Sequence, residues 1–245
     1  MTKNSLLLAA VALVLASRPR PAVQRESVPF VGCPARVGNG DDQEAPRRPP
    51  VIVALDRATA QQLAYYQGAV GAGVLAPRGW HCQVWAGSAS SEILVMPAPI
   101  DSQGVQSIAG PAVVIASFDG GTSGRFDVAI YGSRLFPRVA AEFVERVKSE
   151  SLVSARDFER GPYVNDSVRY LDSLTAEYTT PPHATGLGTE GPFSPSADAI
   201  RGVAVLCAHG DWSFSILQMR LGPTMRHLEA ATLRLNRDAV RRGSC

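Results

Sequence analysis

The sequence predicts an α+β fold, a mainly antiparallel sheet covered by helices on its faces. Three observations lead there. Short runs rich in β-branched residues are joined by glycine, serine or aspartate turns too tight for anything except antiparallel pairing. Stretches with apolar residues three and four apart stand between runs of strands and do not alternate with them one for one. The order reads helix, strand pairs, helix, strand, loop, hairpin, helix, which gives each helix a sheet face to cover.

Asp56 can cap a helix whose apolar positions are Ala60, Leu63, Ala64 and Tyr66, ending near Gly68. Gly71, Gly73, Pro77 and Gly79 then break the chain into a turn. Residues 80–86 and 91–96 alternate as strands around the hairpin loop Gly87-Ser88-Ala89-Ser90, and Pro97 and Pro99 close the second. Residues 112–118 are β-branched, 119–124 form a glycine-rich turn, and 125–131 read as a returning strand. Pro137 suits the first turn of a helix in which Val139, Ala140, Phe143, Val144 and Val147 share one stripe. Residues 168–179 alternate as one long strand, whereas 180–199, interrupted by Pro181, Pro182, Gly186, Gly188, Gly191, Pro192 and Pro195, are irregular. Two strands, 202–208 and 212–221, are linked by His209-Gly210-Asp211. The last helix starts at Pro223, buries Met225, Leu228, Ala231, Leu235 and Ala239, and stops before Gly243.

Lys3 followed by an unbroken apolar run over 6–16 matches a secretory signal peptide, and the run is too short to cross a bilayer. Cleavage after Ala16 places Val14 and Ala16 where the peptidase wants small residues; cleavage after Ala22 would put Arg20 there instead. A competing lipoprotein reading uses Phe30-Val31-Gly32-Cys33, but Arg18, Arg20 and Arg25 separate that box from the apolar run. Residues 1–16 are thus expected to be a signal peptide, 17–50 a Pro/Gly-rich extended or disordered arm, and 51–245 a single α+β domain in a periplasmic or secreted protein.

Basic residues number 24 against 22 acidic. A nucleic-acid partner demands a clustered positive surface, which near-neutrality argues against. After the leader no apolar stretch has membrane-spanning length, so the mature chain is expected to have no membrane span. Four cysteines in an oxidising compartment imply disulfides, and the preferred pairing joins Cys33 to Cys82 and Cys207 to Cys245. The competing reading leaves Cys207 a buried apolar residue and Cys245 a free terminal thiol. No pair has C-x-x-C spacing, and no histidine has a second ligand at metal spacing, so no cofactor or metal is expected.

The segment from Gly73 through Pro77-Arg78-Gly79-Trp80, then Leu94-Val95-Met96-Pro97, the middle helix, and the closing hairpin and helix together resemble the PsbP/Mog1-like fold. Residues 73–82 and 120–126 are similar to segments of uncharacterised secreted proteins of Gram-negative bacteria. The resemblance implies an α/β/α sandwich and, by analogy, an accessory subunit of an envelope assembly; it brings no catalytic residues.

Chemistry is sparse. Gly120-Gly121-Thr122-Ser123-Gly124 has its serine in the wrong register for a nucleophile elbow, and no helix is expected directly after it. The same turn, with Gly120, Gly121, Thr122, Ser123 and the neighbouring Arg125, can cradle an anion on successive backbone N–H groups. His209 and Asp211 flank a hairpin glycine, where such residues ordinarily serve turn geometry. The irregular stretch 180–199 is long enough to suggest function where it crosses the sheet. The leading expectation is a non-enzymatic envelope or secreted domain that binds a protein or small ligand. The alternative is an extracytoplasmic hydrolase using Ser123 or His209.

Overall fold

The computed structural model of the chain describes residues 24–38, 41–101, 104, 107–158, 161–208 and 210–244. In chain order the elements are β1 (Arg25–Val28), β2 (Phe30–Gly32), β3 (Ala35–Val37), β4 (Asp41–Gln43), β5 (Val51–Ala54), α1 (Arg57–Ala60), β6 (Leu63–Gln67), β7 (Val74–Pro77), β8 (His81–Ala86), β9 (Ser90–Met96), β10 (Ala112–Asp119), α2 (Arg125–Leu135), α3 (Ala141–Ser149), β11 (Ser167–Tyr170), β12 (Thr175–Thr180), β13 (Ile200–Cys207), β14 (Ser213–Arg220) and α4 (Glu229–Ser244). Short 3-10 turns stand at Ala155–Asp157, Leu187–Thr189 and Pro223–Leu228.

A nine-stranded sheet in the order β11-β12-β13-β14-β10-β9-β8-β3-β4 organises the molecule, and every neighbouring pair in it is antiparallel except β3 with β8. The chain is therefore an α+β protein with a large, mostly antiparallel sheet. A three-stranded sheet, β2-β6-β7, and a two-stranded ribbon, β1-β5, stand beside it. Alternate residues of the central strands serve two cores. Val113, Ile115, Val203, Val205, Leu217 and Met219 pack with Leu228 and Val240, which belong to the C-terminal helical segment. Ala116, Ala204, Leu206, Phe214 and Ile216 pack with Val128, Tyr131, Phe143 and Val144 of α2 and α3.

Five elements depart from the sequence expectation. Asp56 caps only the single turn of α1, its Oδ1 accepting the Thr59 N–H at 2.9 Å. The expected continuation of that helix is β6 instead, because Leu63-Ala64-Tyr65-Tyr66 finds ladder partners on both sides in β2 and β7. Val74 to Pro77, read as part of a turn, is a buried strand with the glycines flanking it. Residues 125–135 form α2 and not a returning strand; Val128, Tyr131 and Leu135, at helical spacing, all reach the core. The long strand 168–179 is the hairpin β11-β12, reversed where Leu174 N–H donates to Asp172 Oδ1 at 2.9 Å. Finally, residues 25–43, expected as an arm, contribute four strands, of which β3 and β4 extend the large sheet.

Cys33 and Cys82 form a disulfide. Cys207 is a buried free thiol at the end of β13, so the expected partnership with Cys245 is not made; Cys245, like the expected signal peptide 1–16, lies outside the described residues. No helix among the described residues is long and apolar enough to cross a membrane.

Candidate functional site

Three turns converge at one end of the large sheet. Asp119 N–H donates to Ala89 O at 2.9 Å and Gly120 N–H to Trp212 O at 2.6 Å, tying the β10–α2 turn to the β8–β9 and β13–β14 turns. Gly124 is required there, since a Cβ would lie 2.3 Å from Ala89 O. Gly120, Gly121, Thr122, Ser123, Arg125 and Asp211 are thus brought to one place, and His209 lies outside the described residues. A helix, α2, does directly follow the turn, contrary to expectation.

The turn uses its own donors. Gly121 N–H donates to Asp119 Oδ1 at 2.8 Å, Thr122 N–H to Asp119 O at 3.3 Å, and Gly124 N–H to Thr122 Oγ1 at 3.3 Å. Arg125 donates from Nε to both Glu150 oxygens and from Nη1 to Thr122 O at 2.9 Å. That guanidinium holds the Glu150 carboxyl below its usual range, largely through the hydrogen bond. An anion would have to displace Asp119 and Glu150 from these donors.

A different set of residues forms the open space. On the face of the sheet that carries Val113 and Ile115, β10 continues with Ser117 and Asp119, while β14 runs Met219, Leu217, Ser215, Ser213. Register places Ser91, Ser117 and Ser215 directly opposite one another on β9, β10 and β14, one row beyond the apolar Ile93, Ile115 and Leu217. Ser117 Oγ and Ser215 Oγ are 2.8 Å apart. This hydroxyl row borders two cavities. One, of about 270 Å³, is lined by Ser88, Ser90, Ser213, Ser215 and Asp119; the other, of about 370 Å³, by Tyr65, Gln67, Gly73, Ala239 and Val240; Ser91 and Ser117 line both.

The walls are fixed by specific contacts. Asn236, buried on α4, accepts from Leu75 N–H at 2.7 Å and donates to Leu75 O at 2.8 Å, so one side-chain amide clamps α4 to the free edge of β7. Tyr65 lies against Gly73, where a Cβ would sit 2.3 Å from the phenol oxygen, so only glycine leaves room for that ring. Tyr66, the next residue, points the opposite way and is buried, donating to Pro77 O at 2.7 Å.

The irregular stretch 180–199 is built into the other face. Gln218 Nε2 donates to Leu187 O and Gly188 O at 3.1 and 3.2 Å, Gly188 N–H to Thr180 Oγ1 at 2.9 Å, and Leu187 N–H to Asp166 Oδ2 at 2.7 Å. Arg134 reaches Tyr163 Oη at 2.8 Å and Glu190 at 3.2 Å; burial and Glu190 push the Tyr163 phenol up to about 12. These bonds make the segment a structural cover over Gln218, with its own Phe193 buried.

Sequence reasoning nominated the turn but missed Tyr65, Gln67, Ser91, Ser117, Ser213 and Ser215. The serines stand early in β9 and β14 and late in β10, so no common position within the strands marked them. Among the described residues no group of three or more His, Cys, Asp or Glu side chains could hold a metal ion. The fold and site define an α+β protein with a disulfide-tied N-terminal segment and a hydroxyl-lined groove. Comparison with protein-family models, curated proteins and solved structures gave no match.

Proposed function

We propose that this protein is an extracytoplasmic, non-enzymatic binding domain that holds a neutral, hydroxyl-rich ligand, of carbohydrate character, in the groove along Ser91, Ser117 and Ser215. The hydroxyl row carries this reading. Serines aligned across three strands replace the apolar row beside them; the buried Ser215 pairs with Ser117, and the hydroxyls of Ser91 and Ser117, which line both cavities, can donate and accept. Gln67 adds an amide and Asp119 a carboxylate, while Tyr65 supplies an aromatic face. Such a lining suits sugar hydroxyls better than an anion, because the only charged side chain in these two cavities is acidic.

The exported location in this proposal is supported by the Cys33–Cys82 disulfide and by the apolar leader of the sequence. The finer likeness to a PsbP/Mog1-like sandwich belongs to the same proposal. Its support is that α4 and the α2–α3 pair contribute to separate cores.

Calorimetric titration with neutral oligosaccharides tests the reading. Ser117→Ala, which removes the shared hydroxyl without adding bulk, is expected to weaken binding about tenfold through lost hydrogen bonds. Equal affinity in the variant, or no binding by the native protein, defeats the proposal.

A further inference from the structure

The groove does not stop at Tyr65. A third cavity, of about 600 Å³, shares Tyr65 and Ala239 with the second and continues between β5 and α4. Its lining changes character. Val51, Val53, Leu75 and Leu235 replace the serines, and at its outer part Arg234 donates to Ala54 O at 3.1 Å while Asp238 accepts from Arg237 Nε at 3.1 Å. Two adjoining cavities that share an aromatic ring and a small alanine thus lie between a hydroxyl row at the converged turns and an apolar trough, where Arg234 and Asp238 hold protein partners.

We infer that the ligand is an amphiphile, a neutral sugar head on a single hydrocarbon chain, with the head on Ser91 and Ser117 and the chain passing between Tyr65 and Ala239 into the trough. This inference rests on the sugar-binding reading above and adds the tail. A free sugar leaves the trough wet, and a simple hydrocarbon leaves the hydroxyl row unused; an alkyl glycoside matches both halves. Arg25, Arg234 and Asp238 lie at the trough, and the hydroxyl row has Asp119 alone, so the basic charge of the lining is set apart from the head group. Ala239 is the gate, because its methyl group borders both cavities.

The experiment titrates the purified chain with methyl, hexyl and octyl glucosides and maltosides below their micelle-forming concentrations, with decanoate as a headless chain. Affinity is expected to climb roughly twofold to fourfold per added methylene as the chain leaves water. Ala239→Gln, which places a long side chain at the junction, is expected to erase that gain; Val53→Asp, which reaches only the trough from the peripheral ribbon, is expected to erase it while leaving methyl glycoside affinity within about twofold. Thermal melts establish that both variants fold. A flat series overturns the tail assignment and leaves the sugar site standing. Absence of binding by every glycoside takes down the sugar site and the tail together. A chain-length gain that survives Ala239→Gln, or decanoate binding as tightly as octyl glucoside, overturns the amphiphile.

Discussion

At the residue scale, two ionisable groups sit where ordinary strand positions would be apolar. Arg220 is 1% exposed, donates to Ile108 O at 3.0 Å and Ser194 O at 2.6 Å, and lies 5.0 Å from the centre of the Phe193 ring. Its charge is met by carbonyl dipoles and a π face, and burial lowers its pKa without neutralising it. Arg220→Met should orphan both carbonyls and cost about 2 kcal/mol, read as a lower urea midpoint, with new proteolytic cleavage near residues 108 and 194. Glu92, between Trp85 and Ala116 on the strand ladder, has its carboxyl pKa raised by burial. The folded state then holds that proton more tightly than the unfolded chain. Its contribution to stability is complete below the ordinary carboxyl range and declines as pH rises through the raised value. Urea midpoints of Glu92→Gln should match the native protein near pH 4 and exceed it near pH 8; identical midpoints at both pH values would refute this. Asp127 and Asp166, also raised by burial, leave a residual slope of the same sign.

At the scale of elements, a single amide decides where α4 lies. Asn236→Ala leaves the Leu75 N–H and C=O buried without their partner, a loss of about 2 to 4 kcal/mol. Chemical denaturation should register it, and the groove should lose ligand affinity beyond what the stability change explains. Strands β8, β9, β10, β13 and β14 and helices α3 and α4 were legible in the sequence because each shows one period over several residues. The misread segments were those where two periods coexist or the run is short. Phe126, Val128 and Ile130 alternate as in a strand, while Val128, Tyr131 and Leu135 recur as in a helix, and only docking on β10 and β14 decides between them. Leu63 to Gln67 is five residues long, so its ladder partners outweigh local preference. The hydroxyl row was not legible at all. Ser91, Ser117 and Ser215 are distant in sequence, and their alignment exists only through strand register.

At the scale of the molecule, the disulfide is the covalent link between the N-terminal segment and the body, closing a span of 49 residues. Loop-closure entropy of that size corresponds to about 4 kcal/mol. The paired change Cys33→Ser with Cys82→Ser is expected to lower stability by about 2 to 5 kcal/mol, measured as the drop in urea midpoint multiplied by the slope. An unchanged midpoint would mean that β2 and β3 dock without the crosslink. Those early strands also have a protective duty. β3 lies in parallel beside β8, and outside it β4 consists only of Asp41, Asp42 and Gln43. Remove the first fifty residues and β8, still paired with β9 on its other side, becomes a naked ribbon border whose outward-facing amides, those of alternate residues, lie open to capture by another copy. The acidic tip of the arm thus serves as a bumper that keeps one molecule from stitching onto the next, and truncated preparations should self-associate where the full chain stays dispersed.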